Sequence, residues 1–158
     1  SLARQFHDHS VGRQYLAIVR GVPKPSGTIS TTYGRHPHNR LKFSSRHGGG
    51  KHAVTHFERL ESFSTAAALV ACRLETGRTH QVRVHMADSG HPLVADELYG
   101  GGTGGDHRLE PVFRVIERQA LHATELAFDH PVTEERIELR QAPPTDFSKA
   151  LELLRRLG

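Results

Sequence analysis

The sequence contains one cysteine, one methionine and no tryptophan, and it has no long hydrophobic run. Its longest uninterrupted apolar stretch, Ala66 to Cys72, is far shorter than the roughly 20 residues that a membrane-spanning helix requires. A single cysteine can form neither an internal disulfide nor a cysteine-rich zinc site, and it favours a reducing compartment. We therefore expect a cytoplasmic protein that has no membrane partner.

The basic residues are distributed unevenly along the 158-residue chain, which has a net charge of +4. Residues 1–60 contain ten Lys and Arg against two acidic residues, whereas residues 61–158 contain eleven against fifteen. Seventeen of the 21 basic residues are Arg, whose planar guanidinium pairs with phosphate through two hydrogen bonds. This pattern favours RNA or DNA as the partner, with an ordinary solvated basic face as the open alternative.

Five segments have the apolar patterns of β-strands. Continuous apolar runs predict buried strands, and alternating polar and apolar residues predict strands with one exposed face. The predicted strands cover residues 15–19, 52–63, 66–74, 121–128 and 136–139. We expect the second and third of these to pair antiparallel, and likewise the fourth and fifth.

Helix signals occur at three places in the second half of the chain. Thr79 is predicted to be the N-cap of a helix that runs to about Ser89, where Gly90 ends it. One or two turns are expected within residues 111–118, and Thr145 is predicted to cap an amphipathic C-terminal helix. Strands with peripheral helices predict an α+β fold with a mixed, mainly antiparallel sheet.

Residues 24–51 form the most basic segment. Prolines and glycines, including the run 48–50, predict a loop or a short hairpin arm, with strand character at residues 28–32 and 40–44. The residues predicted to contact RNA in this arm are Arg35, Arg40, Lys42, Arg46 and Lys51.

Thirteen histidines make a metal site worth testing against the sequence. His80 and His85 are five residues apart, so they do not share one helical face, and no His-Glu-x-x-His motif occurs. His36 and His107 lie in predicted loops without cysteine or clustered carboxylates nearby. We expect no metal and no cofactor, and a zinc-binding protein is the alternative that metal analysis would test. Cys72 lies in an apolar strand and is predicted to be an inert core residue.

The most informative segment runs from Leu74 to Met86 and continues from Gly90 to Gly100. Its first part reads Leu-Glu-Thr-Gly-Arg-Thr-His-Gln-Val-Arg-Val-His-Met, which indicates a strand end, a glycine turn and a helix start. This order brings Arg78, His80 and Arg83 to a helix N-terminus, where free amides and the helix dipole attract anions. An arginine there becomes functional when it pairs with a carboxylate in a cleft.

This segment resembles the signature of the RluA/RluD-type pseudouridine synthases, which make pseudouridine in ribosomal or transfer RNA. The similarity continues on both sides, because residues 12–21 resemble the tyrosine strand of the family and residues 50–57 resemble the strand before the signature. Residues 119–131 resemble the closing strand, so the resemblance covers nearly the whole chain. It implies a pseudouridine synthase catalytic domain that extrudes a uridine from RNA and uses no metal or cofactor.

The resemblance also implies roles for individual residues. Tyr15 corresponds to the catalytic tyrosine that packs against the target base, and Arg83 to the arginine that pairs with the catalytic aspartate. Leu121 corresponds to an apolar residue that closes the pocket. From the residues alone, a rim aromatic for Tyr15 and simple core packing for Leu121 remain open. Further motif residues, with supporting or RNA-contacting roles, are Arg78, His80 and His85.

The nucleophilic aspartate that the resemblance implies has no match in this chain. In the family it lies in an Arg-Leu-Asp motif upstream of the tyrosine strand, and none of the fourteen residues before Tyr15 matches it. Asp8 is a poor substitute, and residues 107–110 read His-Arg-Leu-Glu but come after the arginine helix. Residues 2–6 resemble the tail of an amphipathic helix. We therefore expect residues 1–158 to be a single partial catalytic domain, truncated at its N-terminus and able to self-associate.

Two hypotheses follow from these observations. The first is that the intact parent is an RNA pseudouridine synthase and that this chain alone has no turnover. The alternative is a noncatalytic RNA-binding module on the same scaffold. An Arg-Leu-Asp segment encoded upstream of Leu2 would distinguish the enzyme from the module.

Overall fold

The computed structural model describes residues 12–45, 50–100 and 102–158, which form an antiparallel sheet, three α-helices and two short 3-10 turns. The strands are β1 (Gly12–Arg20), β2 (Ser26–Arg35), β3 (Phe43–Ser44), β4 (Lys51–Phe63), β5 (Ala67–Leu74), β6 (Leu121–Asp129) and β7 (Arg136–Arg140). The helices are α1 (Gln81–Asp88), α2 (Glu110–Val115) and α3 (Thr145–Arg155). No helix within those ranges is long and apolar enough to cross a membrane. The predicted α+β fold is confirmed, and the expected helix tail at residues 2–6 lies outside the described residues.

The sheet has the strand order β3-β2-β4-β5-β1-β6-β7, and every neighbouring pair is antiparallel. The predicted pairings of β4 with β5 and of β6 with β7 are confirmed. Central strand β1 pairs Gln14 with Arg73 near the end of β5. The start of β1, with Tyr15, therefore lies beside the signature segment that follows β5.

Residues 24–51 are more regular than the sequence predicted. Strand β2 pairs with β4 over eight register positions, and β3 pairs with the end of β2. Of the loop and the hairpin that the sequence allowed, the structure has the hairpin, and the strand character expected at residues 28–32 extends over residues 26–35, which belong to the main sheet. The reason is that threonine and isoleucine at residues 28–32 favour strand backbone, while one polar face of β2 is exposed and conceals the apolar pattern.

Helix α1 begins one residue later than expected. His80, not Thr79, is the N-cap residue, with a left-handed φ of 60° and no side chain that caps the first turn. The side chain of Gln81 instead accepts a hydrogen bond from the backbone N–H of Arg78 and so fixes the turn from within the helix. The end of the helix agrees with the prediction, since Gly90 follows it with a φ of 87°.

The two larger apolar clusters of the core lie one on each face of the sheet. Ile18 of β1 points to the face covered by α2 and α3, where it packs with Phe147 and its neighbours. The adjacent residue Ala17 points to the other face, where Val82 and Met86 of α1 complete the second cluster. The alternation along β1 thus supports helices on both faces.

Cys72 lies in the second cluster and is fully buried. Burial raises the pKa of its thiol to about 12, so the thiolate that a nucleophile requires is not formed at neutral pH. The prediction of an inert core cysteine is confirmed.

Candidate active site

Tyr15 and Leu121 lie on the face of the sheet that α1 covers. Both side chains are partly buried and pack against the cluster that contains Val82 and Met86 of the helix. Arg83 directly follows Val82 on α1. The structure therefore brings Tyr15 and Leu121 to the same face as the helix that carries Arg83.

Buried Gln81 fastens the signature turn to the neighbouring strand β4. Its Oε1 accepts hydrogen bonds from Thr76 Oγ1 at 2.7 Å and from the backbone N–H of Arg78 at 3.1 Å. Its Nε2 donates to the carbonyl of Val54 and to Thr55 Oγ1, both at 2.9 Å. One side chain thus fixes both the turn before α1 and the position of α1 on the sheet.

The signature turn also packs against the start of β1. A Cβ atom at Gly77 would lie 1.2 Å from Nη1 of Arg13, so a larger residue at this position would displace the guanidinium. The glycine therefore gives Arg13 room to lie against the turn, and a larger residue would cost this contact because the guanidinium is the end of a flexible side chain. Arg13 lies two residues before Tyr15, and the contact therefore joins the tyrosine strand to the turn that leads into α1.

His85 holds α1 against two strands. Its Nδ1 shares a hydrogen bond with Thr55 Oγ1 at 2.7 Å, and its Nε2 shares one with Thr31 Oγ1 at 2.8 Å. The residue has 0% exposure, and burial together with the charge of His52 lowers its pKa to about 4. Of the supporting and RNA-contacting roles predicted for His85, its position fits the supporting role, because the ring has no exposed surface and both its nitrogens are bonded inside the protein.

The guanidinium of Arg83 is already paired within the chain. Its Nε donates to Asp96 Oδ2 at 2.9 Å and its Nη2 donates to Asp96 Oδ1 at 2.8 Å. The Asp96 side chain is 0% exposed and that of Arg83 is 12% exposed. The hydrogen bonds to Asp96 raise the pKa of Arg83, which stays charged.

The expectation that Arg83 pairs with an acid absent from this chain is thus incomplete, because Asp96 of the same chain already binds its guanidinium. Asp96 is a functional candidate that sequence reasoning missed. Its only signal in the sequence is its place in the second part of the signature, residues 90–100, thirteen positions after the arginine.

An aromatic cluster borders Arg83 and was also missed from the sequence. The ring of Tyr99 lies 5.1 Å from the guanidinium carbon of Arg83. Its hydroxyl accepts the backbone N–H of Phe43 at 2.9 Å and shares a hydrogen bond with His80 Nδ1 at 2.8 Å. Tyr33 stacks on Phe43 with ring centroids 5.9 Å apart. Burial and the neighbouring guanidinium of Arg83 lower the pKa of His80.

The basic residues of the β2–β3 hairpin lie next to this aromatic cluster. Arg35 is exposed, with its guanidinium carbon 5.1 Å from the centroid of the Phe43 ring, and it donates to the carbonyl of Arg40 at 3.1 Å. Lys42 Nζ lies 5.9 Å from the centroid of the Tyr99 ring. Charge from the hairpin therefore continues directly into the surroundings of Arg83.

A pocket opens between the hairpin and the signature turn. Its lining includes Phe43, Lys51 and Arg78, which combine one aromatic ring with two cations. Arg78 donates through Nε to the carbonyl of His52 at 2.9 Å, so its guanidinium is held at the pocket wall. Arg46, the remaining predicted RNA contact of the arm, lies outside the described residues.

Comparison with known proteins identifies the class to which this fold and site belong. Residues 1–88 match the RNA pseudouridylate synthase family. The chain is 45% identical over 157 residues to Ribosomal large subunit pseudouridine synthase D of Neisseria meningitidis serogroup B, covering 98% of this chain and 42% of that protein. It is 42% identical over 154 residues to the protein of the same name from Zymomonas mobilis, covering 97% and 48%.

The chain therefore belongs to the RNA pseudouridylate synthase family, and the resemblance to its RluA/RluD-type members is confirmed. Among solved structures, Human RNA Pseudouridylate Synthase Domain Containing 1 superposes with a TM-score of 0.73 at 26% identity, covering 99% of this chain and 69% of that chain. The chain spans about half the length of the curated relatives it matches.

Proposed function

We propose that the protein containing this chain converts uridine to pseudouridine in large-subunit ribosomal RNA. The names of the relatives from Neisseria and Zymomonas supply the substrate class. The observation that carries the proposal is that Tyr15, Leu121 and helix α1, which carries Arg83, lie on one face of the sheet. The catalytic tyrosine, the leucine that closes the pocket and the arginine that pairs with the nucleophilic acid must share one face in order to act on one base.

The reaction exchanges one bond for another within a single nucleotide. The N1–C1′ bond breaks, the uracil turns, and a C5–C1′ bond forms, while C5 releases a proton and N1 takes one up. Atoms and electrons balance without an external electron carrier. A stacked base cannot rotate, so it must leave the RNA helix, and the partly buried ring of Tyr15 offers an apolar surface against which it packs.

The nucleophilic carboxylate, on this proposal, comes from an Arg-Leu-Asp motif that precedes residues 1–158 in the intact parent, of which these residues form a partial catalytic domain. The relatives are about twice as long as this chain, which leaves room for such a segment. Asp96 is unsuited to the role because its side chain is 0% exposed. Glu110 is also unsuited, since it is the exposed first residue of α2 and shares a hydrogen bond with His107. Arg83 would keep the incoming carboxylate ionised and oriented through charge-assisted hydrogen bonds.

The basic hairpin at residues 24–51 would bind the phosphate backbone of the RNA. Arg35, Arg40 and Lys51 are exposed, and guanidinium and ammonium groups bind phosphate with little dependence on base sequence. Phe43 and Tyr99 beside them offer rings on which an unpaired base could stack. A ribosomal RNA substrate is consistent with a protein that works in the cytoplasm.

Tritium release from RNA labelled at C5 of uridine tests the proposal. The protein containing this chain should release tritium from a large-subunit ribosomal RNA transcript, and the isolated 158-residue chain should release none. If the longer protein binds the RNA but releases no tritium, the noncatalytic RNA-binding module is the correct reading. Tritium release by the isolated chain would instead overturn the assignment of the nucleophile to another segment.

A further inference from the structure

Asp96 holds one edge of the Arg83 guanidinium, and no residue of the described ranges 12–45, 50–100 and 102–158 binds the other. The two hydrogen bonds join Nε and Nη2 to the two carboxylate oxygens, so Asp96 occupies the side-on edge. Within the described part of the chain, no hydrogen bond involves Nη1 of Arg83. A guanidinium has a second edge, formed by Nη1 and Nη2, whose N–H groups fit a second carboxylate.

The remaining freedom of the guanidinium is restricted by Tyr99. The guanidinium carbon lies over this ring, 5.1 Å from its centroid. The two hydrogen bonds to Asp96 and the contact with Tyr99 together limit the movement of the guanidinium. The Nη1/Nη2 edge is the one with which a second acid would pair.

The backbone before Asp96 is anchored to β1, the strand that carries Tyr15. The N–H of Val94 donates to the carbonyl of Ile18 at 2.9 Å, and Leu93 forms a β-bridge with Val19. Ala95 adopts a left-handed φ of 62°, a conformation that is unfavourable for alanine and is maintained by its surroundings. Asp96 therefore couples the orientation of Arg83 to the tyrosine strand rather than to α1 alone.

We propose that Asp96 is a positioning residue for the proposed isomerisation: it holds Arg83 by the side-on edge so that the Nη1/Nη2 edge faces the nucleophilic carboxylate beside Tyr15. The proposal rests on the function proposed above. Asp96 is itself fully buried and does not touch the substrate. Its contribution is the geometry of the arginine, and that geometry matters only in the chemical step.

A double-mutant cycle in the full-length protein tests this role. Wild-type turnover is measured first by tritium release, and absence of turnover at this stage would contradict the proposed function rather than the role of Asp96. The variants Asp96→Asn, Arg83→Lys and the double variant are then compared for kcat and for KM of the RNA. Glu97→Gln, an exposed neighbouring acid, is the matched control.

Asp96→Asn should lower kcat by about tenfold or more and change KM by less than about threefold, because a misplaced arginine affects the chemical step. The double variant should have the kcat of Arg83→Lys alone within about twofold, since Asp96 acts through Arg83. Glu97→Gln should match wild type. A purely structural role would instead give losses that multiply in the double variant.

Two outcomes would overturn the proposal. One is a kcat for Asp96→Asn within about twofold of wild type, and the other is multiplicative losses in the cycle. If Asp96→Asn is unfolded at the assay temperature, Asp96→Glu replaces it in the cycle. That variant keeps the carboxylate with a longer reach, and it should lose less kcat than Arg83→Lys while the double variant still equals Arg83→Lys.

Discussion

Single side chains in the signature divide between those that hold the fold and those that line the cleft. Thr76, Gln81 and His85 are buried and bonded to protein groups, whereas Arg83 keeps some exposure beside the aromatic rings. The sequence alone suggested a polar cluster at a helix N-terminus and could not make this division. The four-residue spacing of Gln81 and His85, which gives them one helical face, is the signal that predicts their shared burial.

His85 makes the stability of the protein depend on pH. Its pKa is about 4 in the folded state and near 6.5 when unfolded, so the unfolded state binds the proton first. The neutral ring therefore makes its full contribution to the free energy of unfolding above pH 6.5, and this contribution is lost as the pH falls towards 4. The free energy of unfolding should therefore decrease by about 1.4 kcal/mol per pH unit within this window from this residue.

Urea unfolding at pH 7.0, 6.0 and 5.0 measures the effect. His85→Gln should be less stable than wild type at pH 7 and should lose this part of the pH dependence. His38→Gln, at an exposed position, should keep the wild-type dependence. A His85→Gln protein with the same slope as wild type would contradict the account of the buried neutral ring.

At the scale of elements, Gln81 makes two of the side-chain hydrogen bonds that attach α1 to β4, and His85 makes another through Thr55. Gln81→Leu would leave the hydroxyl hydrogen of Thr76 and the backbone N–H of Arg78 without their acceptor, while the carbonyl of Val54 would keep only its bond from the N–H of Glu75. We expect a loss of about 3 kcal/mol in the free energy of unfolding, because unsatisfied buried polar groups each cost about 1–3 kcal/mol. Chemical denaturation followed by circular dichroism measures it.

Gln141→Leu is the matched control for this substitution. Gln141 is exposed, and its replacement should change the free energy of unfolding by less than about 0.5 kcal/mol. Equal effects of the two substitutions would show that the hydrogen bonds of Gln81 do not fasten α1.

The elements themselves were largely predictable. The apolar run of β1, the alternation of β4 and the stripe of α3 each identify an element, because burial of one face determines these patterns. Strand β2 was predicted only in part, at residues 28–32, because its polar residues lie on an exposed sheet face and glycine and proline lie at its ends. The start of α1 was misjudged because Gln81, inside the helix, replaces the usual capping side chain.

At the scale of the whole molecule, the positive hairpin and the Arg83 cleft should serve different tasks. Arg40→Ala and Lys42→Ala should each weaken RNA binding and reduce the slope of log affinity against log salt by about 0.7–1. Filter binding at several salt concentrations measures both quantities. Arg156→Ala, at an exposed position at the end of α3, should leave the slope unchanged; a loss equal to that of Arg40→Ala would contradict the location of the RNA surface.

Self-association of the isolated chain stays a prediction at this scale. The sheet ends in the two-residue strand β3 on one side and in the largely exposed strand β7 on the other. Exposed strand edges pair with other copies. Sedimentation of the isolated chain should show a mass that rises with concentration, and a constant monomer mass would contradict the prediction.

The separation of chemistry from binding is tested most directly by one side-by-side comparison in the full-length protein. The single-turnover rate at saturating RNA and the RNA affinity are measured for wild type, Arg83→Ala and Arg40→Ala. Arg83→Ala should lower the rate by about 100-fold or more and leave the affinity within about threefold. Arg40→Ala should instead weaken the affinity and leave the rate within about threefold. Equal losses of rate and affinity in Arg83→Ala, or an unchanged rate, would contradict the assignment of Arg83 to the reacting centre.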